Sequence, residues 1–151
     1  MKRLMEVPQA KLKALFPHLR PERYEVTSDK STEYNCVAWA AGKEDDKWWP
    51  YEGYYWPVEK RDESKESFVK AFESLGYEVC ANGELEVGYQ KVVIYAGIFS
   101  AKHMARQLPS GKWTSKMGEV WEDIQHDSVG DLAGVEYGKP AVFLKKRLAA
   151  I

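Results

Sequence analysis

Apolar residues follow two different periods along this chain, and the change of period divides it. Across residues 7–20, Leu12, Leu15 and Phe16 recur at helical spacing ahead of Pro17, which predicts a short docking helix. Residues 21–33 are rich in charge and read as an extended lead-in. Tyr34-Asn35-Cys36-Val37-Ala38-Trp39-Ala40-Ala41-Gly42 then reads as a short apolar helix. Ser31 or Thr32 is placed to cap it and Gly42 to end it. Residues 63–75 carry Phe68, Val69, Phe72 and Leu75 on one helical face, with Asp62 or Ser64 at the start and Gly76 at the end. From there the pattern is that of strands. Residues 77–80 alternate, and residues 91–96 form a near-continuous apolar run, the pattern of a strand covered on both faces. Residues 102–108 and 112–115 flank Pro109-Ser110-Gly111 as a hairpin, and residues 141–144 make a last strand before the solvated Lys145-Lys146-Arg147. Val120, Trp121 and Ile124 suggest a weak helical stretch, and residues 128–138, with three glycines, a loop. Helices first and an antiparallel sheet afterwards predict an α+β fold in one domain over residues 1–151.

Composition narrows the function classes. Apolar residues make up 44% of the 151, enough for a real core, and the net charge of −1 gives no electrostatic case for nucleic acid or an anionic membrane. No apolar run has membrane-spanning length. The N-terminus begins with basic residues but lacks an apolar stretch behind them, so no signal peptide is expected. A cytoplasmic location follows as the expectation, with secretion as an effector left open. The two cysteines, Cys36 and Cys80, are then expected as reduced thiols. Nothing has the spacing of zinc ligands, so neither a metal nor a cofactor is implied.

The chemistry concentrates on Cys36. A thiol in the first turn of a helix faces unpaired amides and the positive end of the helix dipole, which favour the thiolate. The same residue in an Ala/Val/Trp run also reads as ordinary packing. Cys80, on a strand, reads as structural. A cysteine nucleophile needs an imidazole and a group to orient it. Of the three histidines, His18 reads as surface, and His126, in a polar segment, as either a group behind the site or plain surface. His103 starts a strand after a loop, with the small Ala105 on its face leaving room for a packed helix, and is the candidate base. If Pro109-Ser110-Gly111 is a three-residue turn with Gly111 left-handed, Leu108 pairs with Lys112 and Ala105 with Ser115. Ser115 is then diagonal to His103 and becomes the candidate orienting residue. A two-residue turn would put Thr114 and Lys116 there instead. The Cys36 amide and the Asn35 side chain are candidate oxyanion donors. Lys116 reads as a residue lining the site or meeting an acidic group, or as a solvated lysine. The aromatic run from Trp48 to Pro57 reads as a cleft wall or as a cover for the core, with Trp56 the cleft candidate and Trp39 a core residue.

Asn35-Cys36-Val37-Ala38-Trp39-Ala40, opening a helix ahead of a His-bearing strand 67 residues on, resembles the papain-like cysteine hydrolase superfamily, in particular its NlpC/P60, CHAP and transglutaminase-like branches. The segment from His103 to Trp113 is similar to their His hairpin, and Ser115 falls where they carry a third polar residue. In finer detail Asn35-Cys36 through Trp39, Ala105-Arg106-Gln107, Trp113-Thr114-Ser115-Lys116, Gly118 and Tyr137-Gly138 resemble an uncharacterised bacterial domain family of unknown function, over residues ~20–147. The superfamily resemblance implies a papain-like fold, the cysteine helix packed on an antiparallel sheet. It implies a hydrolase or acyltransferase acting on a peptide, protein or other amide through a thioester. The sequence departs from the superfamily pattern in having Ser115 where Asn, His, Gln or Asp is usual. It also lacks a glutamine before the cysteine, Lys30 standing six residues ahead of it. Two other readings stay open: an inactive binding or accessory domain using the aromatic loop, and a redox sensor pairing Cys36 with Cys80.

Overall fold

The computed structural model describes residues 3–118 and 121–148. The expectations for Met1, Lys2 and Val120 lie outside the described residues. Among the described residues three α-helices, α1 (Gln9–Leu15), α2 (Cys36–Ala40) and α3 (Lys65–Glu73), accompany seven strands. These are β1 (Tyr24–Val26), β2 (Glu78–Cys80), β3 (Tyr89–Ala96), β4 (Ala101–Gln107), β5 (Trp113–Lys116), β6 (Asp123–His126) and β7 (Lys139–Arg147). They form one sheet in the order β1-β6-β5-β4-β3-β7-β2, antiparallel at every pairing. The fold is α+β. No helix among the described residues is long and apolar enough to cross a membrane.

Both faces of the sheet are covered, which explains the unbroken apolar run in β3. Val92 and Ile94 point into one core with α2, α3, Trp48 and Trp56. Val93 and Tyr95 point into another with Leu12, Phe16, Tyr24 and Leu132. Successive strand side chains alternate between faces, so a strand between two cores must be apolar at every position. Phe68 and Phe72 of α3 are fully buried, each worth roughly 2 kcal/mol of apolar burial. Ser64 caps α3, its hydroxyl accepting from the Ser67 amide.

The β4–β5 hairpin has the expected three-residue register, with Arg106 opposite Thr114 and Gln107 opposite Trp113. Gly111 has φ +91°, the left-handed conformation that a glycine adopts without a Cβ penalty. The ladder is registered at those two pairs alone, and towards His103 and Ser115 the strands are no longer paired.

Four expectations are corrected. Asn35, not Ser31 or Thr32, caps α2; the Ser31 hydroxyl is taken by the Glu33 amide. The stretch around Ile124 is strand β6, because Asp123–His126 pairs with β5 on one side and β1 on the other, and a doubly paired segment overrides a weak helical period. The last strand runs from Lys139 to Arg147 rather than over 141–144: Lys146 and Arg147 are exposed as expected, but Lys145 is half-buried, its ammonium 2.9 Å from Glu86 and over the Tyr89 ring. The face carrying Ala105 does not receive the cysteine helix: Ala105 packs in the core of Phe16 and Tyr24, while Cys36 packs in the other with Met104.

Candidate active site

Helix α2 is short and owes its place to side chains rather than propensity. The Asn35 Oδ1 accepts from the amides of Ala38 (3.2 Å) and Trp48 (3.0 Å), while its Nδ2 donates to the Trp48 carbonyl at 2.8 Å. One buried amide thus caps the helix and ties it to the aromatic loop. The Trp39 ring N–H donates to the Thr114 hydroxyl at 3.0 Å, and the Arg106 guanidinium lies 5.1 Å over the same ring. These contacts fix α2 against β4 and β5, with Cys36 at its start.

A cavity of about 240 Å³ opens where the two cores meet, beyond the end of the β4–β5 ladder. Asn35 and Cys36 line it from α2, and Lys102 and His103 from β4. Trp49, Tyr51 and Tyr54 line it from the loop after α2, and Gly118 and Tyr137 complete it. Cys36 is 8% exposed.

His103 is fully buried, with its ring stacked on Tyr137 at 4.0 Å and 5° between planes. Its Nε2 lies 3.1 Å from the Ser115 hydroxyl. That hydroxyl lies 2.8 Å from Nε2 of His126, whose Nδ1 lies 2.9 Å from the Ser128 carbonyl oxygen. His103 Nδ1 is buried with no hydrogen-bond partner among the described residues. Burial drives the His103 pKa well below its ordinary value, and the neighbouring His126 adds to the effect. Burial also lowers His126 to about 4, against the opposing pull of the Ser128 carbonyl and of Asp131. Both rings are neutral at pH 7. Tyr137 is pushed well above the usual phenol range, first by burial and then by the charge of Cys36.

Sequence reasoning and structure therefore bring Asn35, Cys36 and His103 to one cavity, with Ser115 directly behind His103. They part over Trp56 and Lys116. Trp56 is buried against Phe68, its ring N–H donating to the Lys60 carbonyl at 2.9 Å; Trp49, Tyr51 and Tyr54 hold the cleft position instead. Lys116 neither lines the cavity nor meets solvent. Its buried ammonium donates to the carbonyls of Ser31 (2.8 Å), Gly118 (3.2 Å) and Trp121, closing the loop that follows β5. Burial lowers its pKa, with Asp123 and Cys36 pulling the other way.

Tyr137 is the partner of His103 that sequence reasoning did not place, while His126 takes one of its two expected places, behind the site and against Ser115. Reading residues 123–126 as a strand would have decided between the two, since β6 registers His126 opposite Trp113, on the face of Ser115. Tyr137 is followed by Gly138, where a Cβ would lie 2.1 Å from the Ala96 carbonyl oxygen. That close approach holds the Tyr137 loop against the β3–β4 turn, a long-range contact without a local signature.

Residues 25–145 match the family described as a domain of unknown function (DUF7689). The chain belongs to that family. No curated protein and no solved structure matches it. The DUF7689 match contains every residue that lines the cavity, together with Ser115 and His126.

Proposed function

We propose that this protein is a cysteine hydrolase or acyltransferase of papain-like design, acting on an amide bond. The observation that carries the reading is the buried, unpartnered Nδ1 of His103, a residue that lines the same cavity as Cys36. A buried polar atom without a partner is costly, and a ring nitrogen with a free lone pair, on a residue lining the same cavity as a thiol, supports its reading as the base.

In the reaction, Nδ1 takes the Cys36 thiol proton as Sγ attacks the amide carbonyl carbon. The carbonyl π electrons move to oxygen, where the Cys36 backbone amide donates to the oxyanion. Asn35 contributes by holding the turn that presents this amide, since its Nδ2 already donates to Trp48. As the C–N bond breaks, the Nδ1 proton passes to the leaving amine and a thioester remains on Cys36. Water or an amine, giving its proton to Nδ1, then attacks the thioester and releases the thiol. The ring of Tyr137 on the face of His103 supports the transient imidazolium. Trp49, Tyr51 and Tyr54 form the wall against which the substrate lies.

A Cys36–Cys80 redox pair has less support. Neither thiol is in a disulfide, and Cys80 lies on β2, three strand positions from β4, the strand on which α2 packs. At ~4.8 Å per strand that is roughly 14 Å, against a limit of about 7 Å between Cα atoms for a disulfide.

The test is competitive alkylation read by peptide mass spectrometry. Cys80 is the more exposed thiol, so exposure alone predicts that it labels first. The proposal predicts that iodoacetamide labels Cys36 faster, and that His103→Gln slows this labelling at least tenfold without changing Cys80. Faster labelling of Cys80, with Cys36 indifferent to His103→Gln, overturns it.

A further inference from the structure

The contacts behind His103 have a direction that the atoms themselves determine. The Ser128 carbonyl oxygen can only accept, so the proton in its 2.9 Å contact with His126 sits on Nδ1. A neutral imidazole has one N–H, so His126 Nε2 carries a lone pair and can only accept. Its partner at 2.8 Å is the Ser115 hydroxyl, which therefore spends its single proton there. The Ser115 oxygen is left with lone pairs for its 3.1 Å contact with His103, so the proton in that contact belongs to His103 Nε2. His103 Nδ1, the remaining nitrogen of a neutral ring, is bare.

We propose that His126 is a positioning residue: anchored by the Ser128 carbonyl, it dictates through Ser115 the Nε2–H tautomer of His103 and so leaves Nδ1 as the base. The inference rests on the proposed Cys36–His103 chemistry for its purpose, and on these contacts alone for its content. It also accounts for a serine in the orienting position. A hydroxyl alone is an ambiguous orienting group, because it can donate or accept. With its proton committed to His126 it becomes a fixed acceptor, as a carboxylate or amide oxygen would be, without bringing a charge into the core.

The anchor is itself built rigidly. The Ser128 backbone amide donates to Asp131 Oδ2 at 2.9 Å, in a capping box at the start of the 3-10 turn Val129–Leu132. The Arg23 guanidinium donates to Asp131 Oδ1 at 2.7 Å and to the Ser128 hydroxyl at 3.1 Å. A change of tautomer at His103 would oblige Ser115 and His126 both to turn their protons round, and His126 would then set a lone pair against a carbonyl lone pair.

Nitrogen-15 correlation spectra of the imidazole rings at pH 7 test this without reference to activity. The expected result is the Nδ1–H form for His126 and the Nε2–H form for His103, in the wild type and in Cys36→Ala alike. In Ser115→Ala and in His126→Phe, a substantial share of His103 is expected to move to the Nδ1–H form. Cys36 alkylation is expected to fall by about tenfold in both variants, while Cys80 labelling stays unchanged. The Nδ1–H form at His103 in the wild type overturns the proposal, and that measurement needs no variant to fold. So does a His103 tautomer indifferent to both substitutions. If the tautomers are as expected but Cys36 labelling ignores His103→Gln, the lock stands and the hydrolase reading fails.

Discussion

Lowering the pH from 7.5 to 5 is expected to cost this fold about 2 kcal/mol through His126 alone. The unfolded imidazole titrates near 6.5, and burial holds the folded one at about 4. At pH 5 roughly 97% of unfolded and about 9% of folded molecules carry a proton on His126, and that difference in protons bound sets the penalty. A histidine depressed in the native state contributes nothing to the pH dependence above 6.5. It destabilises progressively as pH falls from 6.5 towards 4, and by a constant amount below that. His103, also depressed by burial, adds to the loss with the same sign. Asp123, raised by burial, works in the opposite direction, but its share is common to wild type and variant and cancels between them. The perturbation is His126→Gln, and the assay is urea unfolding at pH 7.5, 6 and 5. The variant is expected to be less stable at pH 7.5, having lost two buried hydrogen bonds, yet to lose about 2 kcal/mol less than the wild type on the way to pH 5. Parallel acid slopes in the two proteins would refute the reasoning, because the ring would then not be held neutral by the fold.

Other outcomes follow from the same structure. Asn35→Ala removes the cap of α2 and both contacts to Trp48, and is expected to cost about 2–3 kcal/mol in urea unfolding and to slow Cys36 labelling. Lys116→Met leaves three buried carbonyls without their donor, with an expected loss of roughly 3 kcal/mol and faster proteolysis in the loop after β5. Gly138→Ala drives a Cβ into the Ala96 carbonyl at φ +76°; a loss of about 2 kcal/mol or more is expected, read as a lower Tm, with Cys36 labelling falling as Tyr137 shifts off His103. Because burial holds His103 neutral far below pH 6.5, the acid limb of Cys36 alkylation attributable to His103 is expected well under that pH; a limb at 6.5 would contradict it.

The local features of the chain were legible from its residues. Phe68, Phe72 and Gly76 define α3 by period and stop signal. The unbroken run of β3 announces two covered faces. Pro109-Ser110-Gly111 selects the register that brings Ser115 to His103, because only a turn with glycine at its left-handed position avoids strain there. Each of these rests on interactions between residues close in sequence. What the residues alone did not reveal depends on partners far along the chain. Residues 123–126 became a strand because β1 and β5 lie on either side of them. Lys116 became buried because the distant Ser31 carbonyl meets its ammonium alongside two carbonyls of the loop after β5. The cleft wall fell to Trp49, Tyr51 and Tyr54 rather than Trp56: Trp49 and Trp56 both pack on Phe68 of α3, but the Trp56 ring turns into the core with its N–H on the Lys60 carbonyl. Above all, the pairing of His103 with Tyr137 and, through Ser115, with His126 depends on where the ladder between β4 and β5 stops. A short-range pattern fixes how a segment is shaped, but only closure of the whole sheet decides which buried groups must satisfy one another.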